Sequence, residues 1–274
     1  MLTAFDTSPG GDGHARCVDW LGEQLRSLGF WVRVVGGGPQ PPLIVARRNG
    51  TGLDGHVAMY GHYDVAKVER ADAWRHPPRE CTLADGRLYG VGVADNKGPL
   101  AARLATFEMG MRTPEISWFI QGEEETGSSV ARVHLPALMG DLQPAIWLDE
   151  TGYHDGADGT LRLLARLAGV GGSSEPPDRA LHDLMIRLES LARECGVSAR
   201  HECRPLNKNE VAGGCPFQAS LPSGARYLAI GVNDSSSSIH GANESIPTWT
   251  IPLHAAELES IFEWAHQHGA CVPG

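Results

Sequence analysis

Five short apolar segments recur along the chain, at Leu43–Ala46, Val57–Tyr60, Ile116–Ile120, Ala145–Leu148 and Tyr227–Ile230. They constrain the fold more than any other feature. Their length and their branched or aromatic content predict strands buried on both faces. Helical periodicity lies around and between them. Val18, Leu21, Leu25 and Leu28 recur at helical spacing over 15–28, with Gly29 as a natural stop. Similar patterns run from Lys97 to about Met109, from Asp178 to Cys195 (Leu181, Leu184, Leu188, Leu191) and from about His254 to His268. Strands alternating with helices predict an α/β sandwich with a mostly parallel sheet, whose functional residues gather in loops at the carboxyl ends of strands.

At 274 residues the chain is long enough to bury a sizeable core. It contains no stretch approaching the roughly 20 apolar residues that cross a bilayer. Thirty-three acids against 23 bases leave a net charge of −10, which disfavours nucleic acid and anionic membranes as partners. The first residues, Met1 to Asp6, lack the basic start and apolar core of a secretory signal, so the expected compartment is the cytoplasm. The cysteines at 17, 81, 195, 203, 215 and 271 show no Cys-x-x-Cys spacing and read as free thiols. Two turn-rich stretches, 36–42 and 171–177, look like linkers and are too short to be disordered regions of consequence.

Polar residues of one chemical kind collect just past the strand ends. His62 and Asp64 follow the segment at 57–60; in extended chain they share a side, and a carboxylate beside an imidazole can fix its tautomer. Alone, such a pair more often makes a surface hydrogen bond. Gly90 to Gly98 is a glycine-flanked turn containing Asp95 and running into a helix. It matches neither phosphate-binding glycine pattern, and Asp95 would repel an anion there; the plain alternative is a helix N-cap. Glu123, Glu124 and Glu125 follow the segment at 116–120, and three adjacent carboxylates demand a cation or strong solvation. Asp149 and Glu150 follow the segment at 145–148, and His240 to Glu244 follow the last one after a serine-rich loop.

Each feature alone is more often structural, but together they place a His, Asp or Glu in five successive strand-end loops. Two histidines with several carboxylates and no cysteine suit two divalent ions sharing one carboxylate, most readily zinc, with manganese or cobalt as alternatives. Two such ions can activate a water and polarise a carbonyl, and an unligated Glu can serve as general base.

The order and wording of these motifs resemble the di-zinc metallopeptidases of family M20, which include glutamate carboxypeptidases, dipeptidases, acetylornithine deacetylases and succinyl-diaminopimelate desuccinylases. The segments carrying the likeness are Gly61–Val65, Asp85–Gly92 with Asp95–Gly98, Glu124–Ser128 and His240–Glu244. The resemblance implies a three-layer α/β/α sandwich with a mixed central sheet. It also implies that His62 and Asp149 hold one ion, that Glu125 and His240 hold the other, and that Asp95 bridges them. Asp64 would orient His62, and Glu124 would take a proton from the attacking water and pass it to the leaving amine. Glu123 is left as a solvated neighbour, and Glu150 stands beside Asp149 as the alternative ligand.

Two departures from the family pattern matter. Its usual Gly-Arg-Gly before the bridging Asp reads Gly90-Val91-Gly92 here. Relatives also insert a lid domain between the fourth and fifth ligand segments, whereas Asp149 and His240 are only 91 positions apart. That stretch must also supply a helix and a strand, so an ordinary domain of about 100–150 residues does not fit. The expectation is one lidless domain over 1–274, a monomer or a dimer through another face, with His154 or His201 as possible stand-ins for lid-supplied groups. Gly213–Phe217 stands where relatives often carry a Ser/Thr-Asp pair. The expected activity is hydrolysis of an amide in a small peptide or N-acyl amino acid. Aminopeptidase-like cleavage, deacylation of a carrier-bound substrate, and a metal-binding protein without turnover are the alternatives.

Overall fold

Successive strand residues alternate between two apolar clusters, and that alternation builds the layers. In a computed structural model describing residues 2–150, 153–155, 160–167, 178–203 and 216–269, Val57, Met59, Ile116, Trp118, Ile146, Leu148 and Leu228 join one cluster. Their neighbours Ala58, Tyr60, Phe119, Trp147, Tyr227 and Ala229 join the other. Period-two burial on both faces is what short, unbroken apolar strands require.

In chain order the elements are α1 (His14–Ser27), β1 (Trp31–Val35), β2 (Leu43–Arg48), β3 (His56–His62), β4 (Thr82–Ala84), β5 (Arg87–Tyr89), α2 (Lys97–Glu108), β6 (Glu115–Gln121), α3 (Ser129–Met139), β7 (Ile146–Asp149), β8 (Tyr153–Asp155), β9 (Thr160–Leu167), α4 (Arg179–Glu194), β10 (Ser198–Cys203), α5 (Pro216–Ala219), β11 (Arg226–Ala229), β12 (Asn233–Asp234), β13 (Ser245–Pro247) and α6 (Thr250–His268). The main sheet has the order β1-β2-β6-β3-β7-β11-β9-β8-β12, with β10 on β9, and β13-β5-β4 form a small second sheet. The centre, β6-β3-β7-β11, is parallel. Antiparallel pairs lie to either side. Buried residues of α1, α2, α4 and α6 pack on one face, and those of α3 and α5 on the other. This is the three-layer sandwich with a mixed, mostly parallel sheet.

All five predicted strands are present, and β3 runs on to His62, so that its last residue reaches the functional edge. α6 begins at Thr250 rather than at 254; the buried Thr250 hydroxyl donates to Val232 O and Pro247 O and anchors that extra turn. The N-terminal residues are tied to the segment that follows β3: Thr7 donates its hydroxyl to Tyr63 O at 2.7 Å and its backbone O accepts from Val65 N at 3.2 Å, straddling Asp64. Residues 36–42 join β1 to β2, whereas 171–177 and 213–215 lie outside the described residues. Cys17, Cys81 and Cys195 are free thiols; Cys215, Cys271 and the side chain of Cys203 lie outside the description, as do the side chains of His154 and His201. Among the described residues, no helix is long and apolar enough to cross a membrane.

Candidate metal centre

His62 closes β3 at the middle of the sheet and is buried. Its Nδ1 faces Asp64, 3.2 Å from Oδ1 and 3.1 Å from the backbone O, which leaves Nε2 free to face the cluster. That Nε2 lies 2.8 Å from Asp95 Oδ1 and 3.5 Å from Glu150 Oε1. On the other side, His240 Nε2 lies 3.4 Å from Asp95 Oδ2 and 2.9 Å from Glu125 Oε1. Two groups of potential ligand atoms result, His62–Asp95–Glu150 and Asp95–Glu125–His240, each with its atoms within 4.8 Å of one another. Asp95 belongs to both and turns a different oxygen to each.

Local structure explains these placements. The tight turns around Asp95 are held by the Glu244 carboxylate, which accepts Gly92 N and Ala94 N at 2.9 Å and Asp95 N at 3.0 Å. Asn96 accepts the His62 N–H at 3.2 Å, tying this turn to β3. Gly61 lets the two come together, since a Cβ there would stand 2.9 Å from Leu100 Cδ2, 3.0 Å from Asn96 Oδ1 and 3.3 Å from Glu150 Oε2. Glu124 and Glu125 occupy a 3₁₀ turn directly after β6, and Asp64 Oδ2 accepts the Glu125 N–H at 3.0 Å.

The electrostatics are those of a site crowded with negative charge. Burial pulls His62 down, but Glu150, Asp64 and Asp95 outweigh it and hold its pKa well above the ordinary value. Hydrogen bonding to Asp95, opposed by partial burial and helped by Glu125, raises His240 to about 9. Burial pushes Asp95 up, but the two histidines win and hold it below the usual carboxylate range. Burial, with neighbouring carboxylates, raises Glu124, takes Glu125 to about 6 and lifts Glu150 well above its ordinary value. Glu150 Oε2 is buried without a hydrogen-bond partner. A buried carboxylate in that state calls for a cation, and the nitrogen and oxygen donors, with no thiolate, fit two divalent ions.

His62, Asp95, Glu125 and His240 are thus brought together, with Asp64 behind His62. Where the sequence pointed first to Asp149, the structure brings in Glu150. The Asp149 carboxylate instead accepts from Tyr227 Oη at 2.6 Å, Gln218 Nε2 at 3.1 Å and the Glu150 N–H at 2.8 Å. Glu124 stands outside both ligand groups while sharing their field. Glu123 is not solvated: it is 3% exposed and accepts from Ser129 Oγ at 3.0 Å and from Val130 N, satisfying the start of α3. Beside His240 opens a cleft of about 260 Å³, lined by Lys67, Arg70, Trp74, Val91 and Ala242 among others.

Residues 58–263 match the sequence profile of Peptidase family M20/M25/M40, a span that contains every residue of this site. Human Beta-Ala-His dipeptidase is 36% identical over 121 residues, 39% of this chain and 24% of that protein. The succinyl-diaminopimelate desuccinylase of Delftia acidovorans is 34% identical over 199 residues, 65% of this chain and 51% of that one. The chain thus spans about a quarter to a half of the length of the curated relatives it matches. Among solved structures, the M20 family metallo-carboxypeptidase Sso-CP2 from Sulfolobus solfataricus superposes with a TM-score of 0.74 at 14% identity over 97% of both chains. Human carnosine dipeptidase 1 does so with a TM-score of 0.70 at 14% identity, over 97% of this chain and 95% of that one.

Proposed function

Because the chain belongs to peptidase family M20/M25/M40, we propose that it is a metal-dependent hydrolase cleaving an amide bond of a small peptide or N-acyl amino acid. The observation that carries this reading is the pair of ligand groups sharing Asp95, one oxygen turned to His62 and the other to His240. His62, Asp95 and Glu150 would hold one divalent ion, and Asp95, Glu125 and His240 the other. Zinc, manganese or cobalt at these positions would supply Lewis-acid activation of a water and of the amide carbonyl.

The chain's own residues do the rest. Asp64 fixes the tautomer of His62. Glu124, raised by burial and by its carboxylate neighbours, is the general base: it takes a proton from the attacking water as the new C–O bond forms. It returns that proton to the amide nitrogen as the C–N bond breaks, so that carboxylic acid and amine leave together. The cleft beside His240 receives the part of the substrate flanking that bond, with Val91 in its wall where the family's pattern has arginine.

We also read the chain as lidless. The described residues between Glu150 and His240 are taken up by β8, β9, β10, β11 and β12, all in the main sheet, and by the sheet-packed α4 and α5. A monomer, or a dimer through a face other than a lid, follows from that.

The test is elemental analysis of zinc-supplemented, desalted protein, followed by a panel of dipeptides blocked at either end and of N-acyl amino acids. About two metals per chain and chelator-sensitive cleavage of an amide are expected. A ratio near zero would overturn the metal centre; two metals with no cleavage across the panel would move the reading to a binding protein.

A further inference from the structure

Arg103, on α2, is 1% exposed and lies beneath the metal centre. Its guanidinium donates from Nη1 to Tyr60 O at 2.6 Å, and from Nη2 to Asp149 O at 2.8 Å and Ile230 O at 3.5 Å. These carbonyls lie at the carboxyl ends of β3, β7 and β11, which are neighbours in the sheet. The β3–β7 ladder ends where Met59 pairs with Leu148. Tyr60 and Asp149 are therefore the first residues past the point where the two strands part. Asp149 O also accepts the Ile230 N–H at 3.3 Å, from the β11 side, so the guanidinium is a second donor to that carbonyl, using its other lone pair. With Nη1 on Tyr60 O it spans the parted ends of β3 and β7 as a planar fork.

What the fork spans is the base of one half of the site. His62 lies two residues beyond Tyr60, and Glu150 is the residue after Asp149. We propose that Arg103 is a positioning residue: it sets the separation of the β3 and β7 ends, and so builds the His62–Asp95–Glu150 group. The Asp95–Glu125–His240 group depends on it much less, because Glu125 is carried by β6 and His240 by the loop after β12, neither of which Arg103 touches in these contacts. A lysine would preserve the charge but offers a point donor rather than a fork, so shape and charge are separable here. The inference rests on the metal-centre reading above.

The experiment is a titration of cobalt(II) into metal-free protein, in competition with a chromophoric chelator. The visible cobalt spectrum and a melting curve are recorded alongside, for wild type and Arg103→Lys. The expected result is a cooperatively melting variant that keeps one site of wild-type affinity and weakens the other by about 10–100-fold, as loss of an outer partner of a ligand typically does. The weakening should persist in a His240→Ala background and vanish in a Glu150→Gln background. Two wild-type affinities, or equal weakening of both sites, would overturn the proposal. If Arg103→Lys does not fold, Arg103→Gln, which keeps a single planar donor, is judged by the same outcomes. Failure of wild type itself to take up two ions would instead sink the metal-centre reading beneath it.

Discussion

Asp64 accepts the Glu125 backbone N–H at 3.0 Å on Oδ2 while its Oδ1 faces His62 Nδ1 at 3.2 Å, so one carboxylate braces a candidate ligand of each half of the site. Asparagine has the same shape but offers one acceptor oxygen, and cannot serve both neighbours as Asp64 does. Asp64→Asn should weaken metal binding by about 10–100-fold and, as for any buried hydrogen-bond acceptor, cost the metal-free protein about 1–3 kcal/mol of stability. Chelator competition measures the first and circular dichroism the second. Wild-type affinity in this variant would mean that His62 needs no carboxylate behind it.

Glu124 shares the field of the ligands without joining either group. Glu124→Gln should therefore retain both ions and lose about 10²–10⁴-fold in kcat, the range for removing a general base. Metal per chain and turnover must be measured on the same preparation. A variant that loses its metal would make Glu124 a ligand, and one that keeps its turnover would remove it from the proton path.

The central strands and most of the residues gathered around Asp95 were legible because each carries its own local signal. β3 and β6 are unbroken apolar runs, and His62, Asp95, Glu125 and His240 stand at fixed places in short motifs. β1 was not legible, because as an edge strand it mixes exposed and buried residues, Trp31 among the exposed ones. α3 contains Pro136 and begins on the buried carboxylate of Glu123, so neither its interior nor its start resembles an ordinary helix. Glu244 sits inside a motif, yet nothing in the sequence says that its carboxylate collects three backbone N–H groups of a turn about 150 residues away. The choice between Asp149 and Glu150 is likewise tertiary, since Tyr227 and Gln218 claim one of two adjacent acids.

Gly61 has Asn96 Oδ1 and Glu150 Oε2 crowded against the place where a Cβ would stand. Gly61→Ala must move one of them or Leu100. The expected cost is about 1–3 kcal/mol of stability, as for overpacking elsewhere, together with weaker binding at the His62 half. Denaturant titration and cobalt binding check the two effects, and an alanine variant with wild-type values for both would show that the neighbours yield freely.

Glu257 lies buried in α6, its Oε2 3.5 Å from His254 Nδ1, and burial raises its pKa from 4.5 to about 8. Between those values the folded state holds a proton that the unfolded state has released, so raising the pH destabilises the protein. The effect is absent below 4.5 and complete above about 8. Relative to Glu257→Gln, wild type should lose up to about 1.4 kcal/mol per pH unit across that window. Denaturation of both proteins at pH 5, 6 and 7 in matched buffers gives the difference directly. Parallel curves would show that Glu257 is ionised against His254 instead.

Asp149 and Glu150 are adjacent, yet their carboxylates face different surroundings, and substituting each in turn separates ligation from support. Asp149 is held by Tyr227 and Gln218, and its backbone O is held by Arg103. Asp149→Asn should keep both ions while losing stability, by about 1–3 kcal/mol for a buried hydrogen-bond acceptor. Glu150 has an oxygen without a partner and lies 3.5 Å from His62 Nε2. Glu150→Gln should reduce the metal content from two per chain to one and relieve the crowding of carboxylates, leaving the metal-free protein at least as stable as wild type. Elemental analysis and melting of the metal-free proteins decide between them. The reverse pattern, one ion lost with Asp149→Asn and none with Glu150→Gln, would make Asp149 the ligand and require its carboxylate to leave Tyr227 when metal binds.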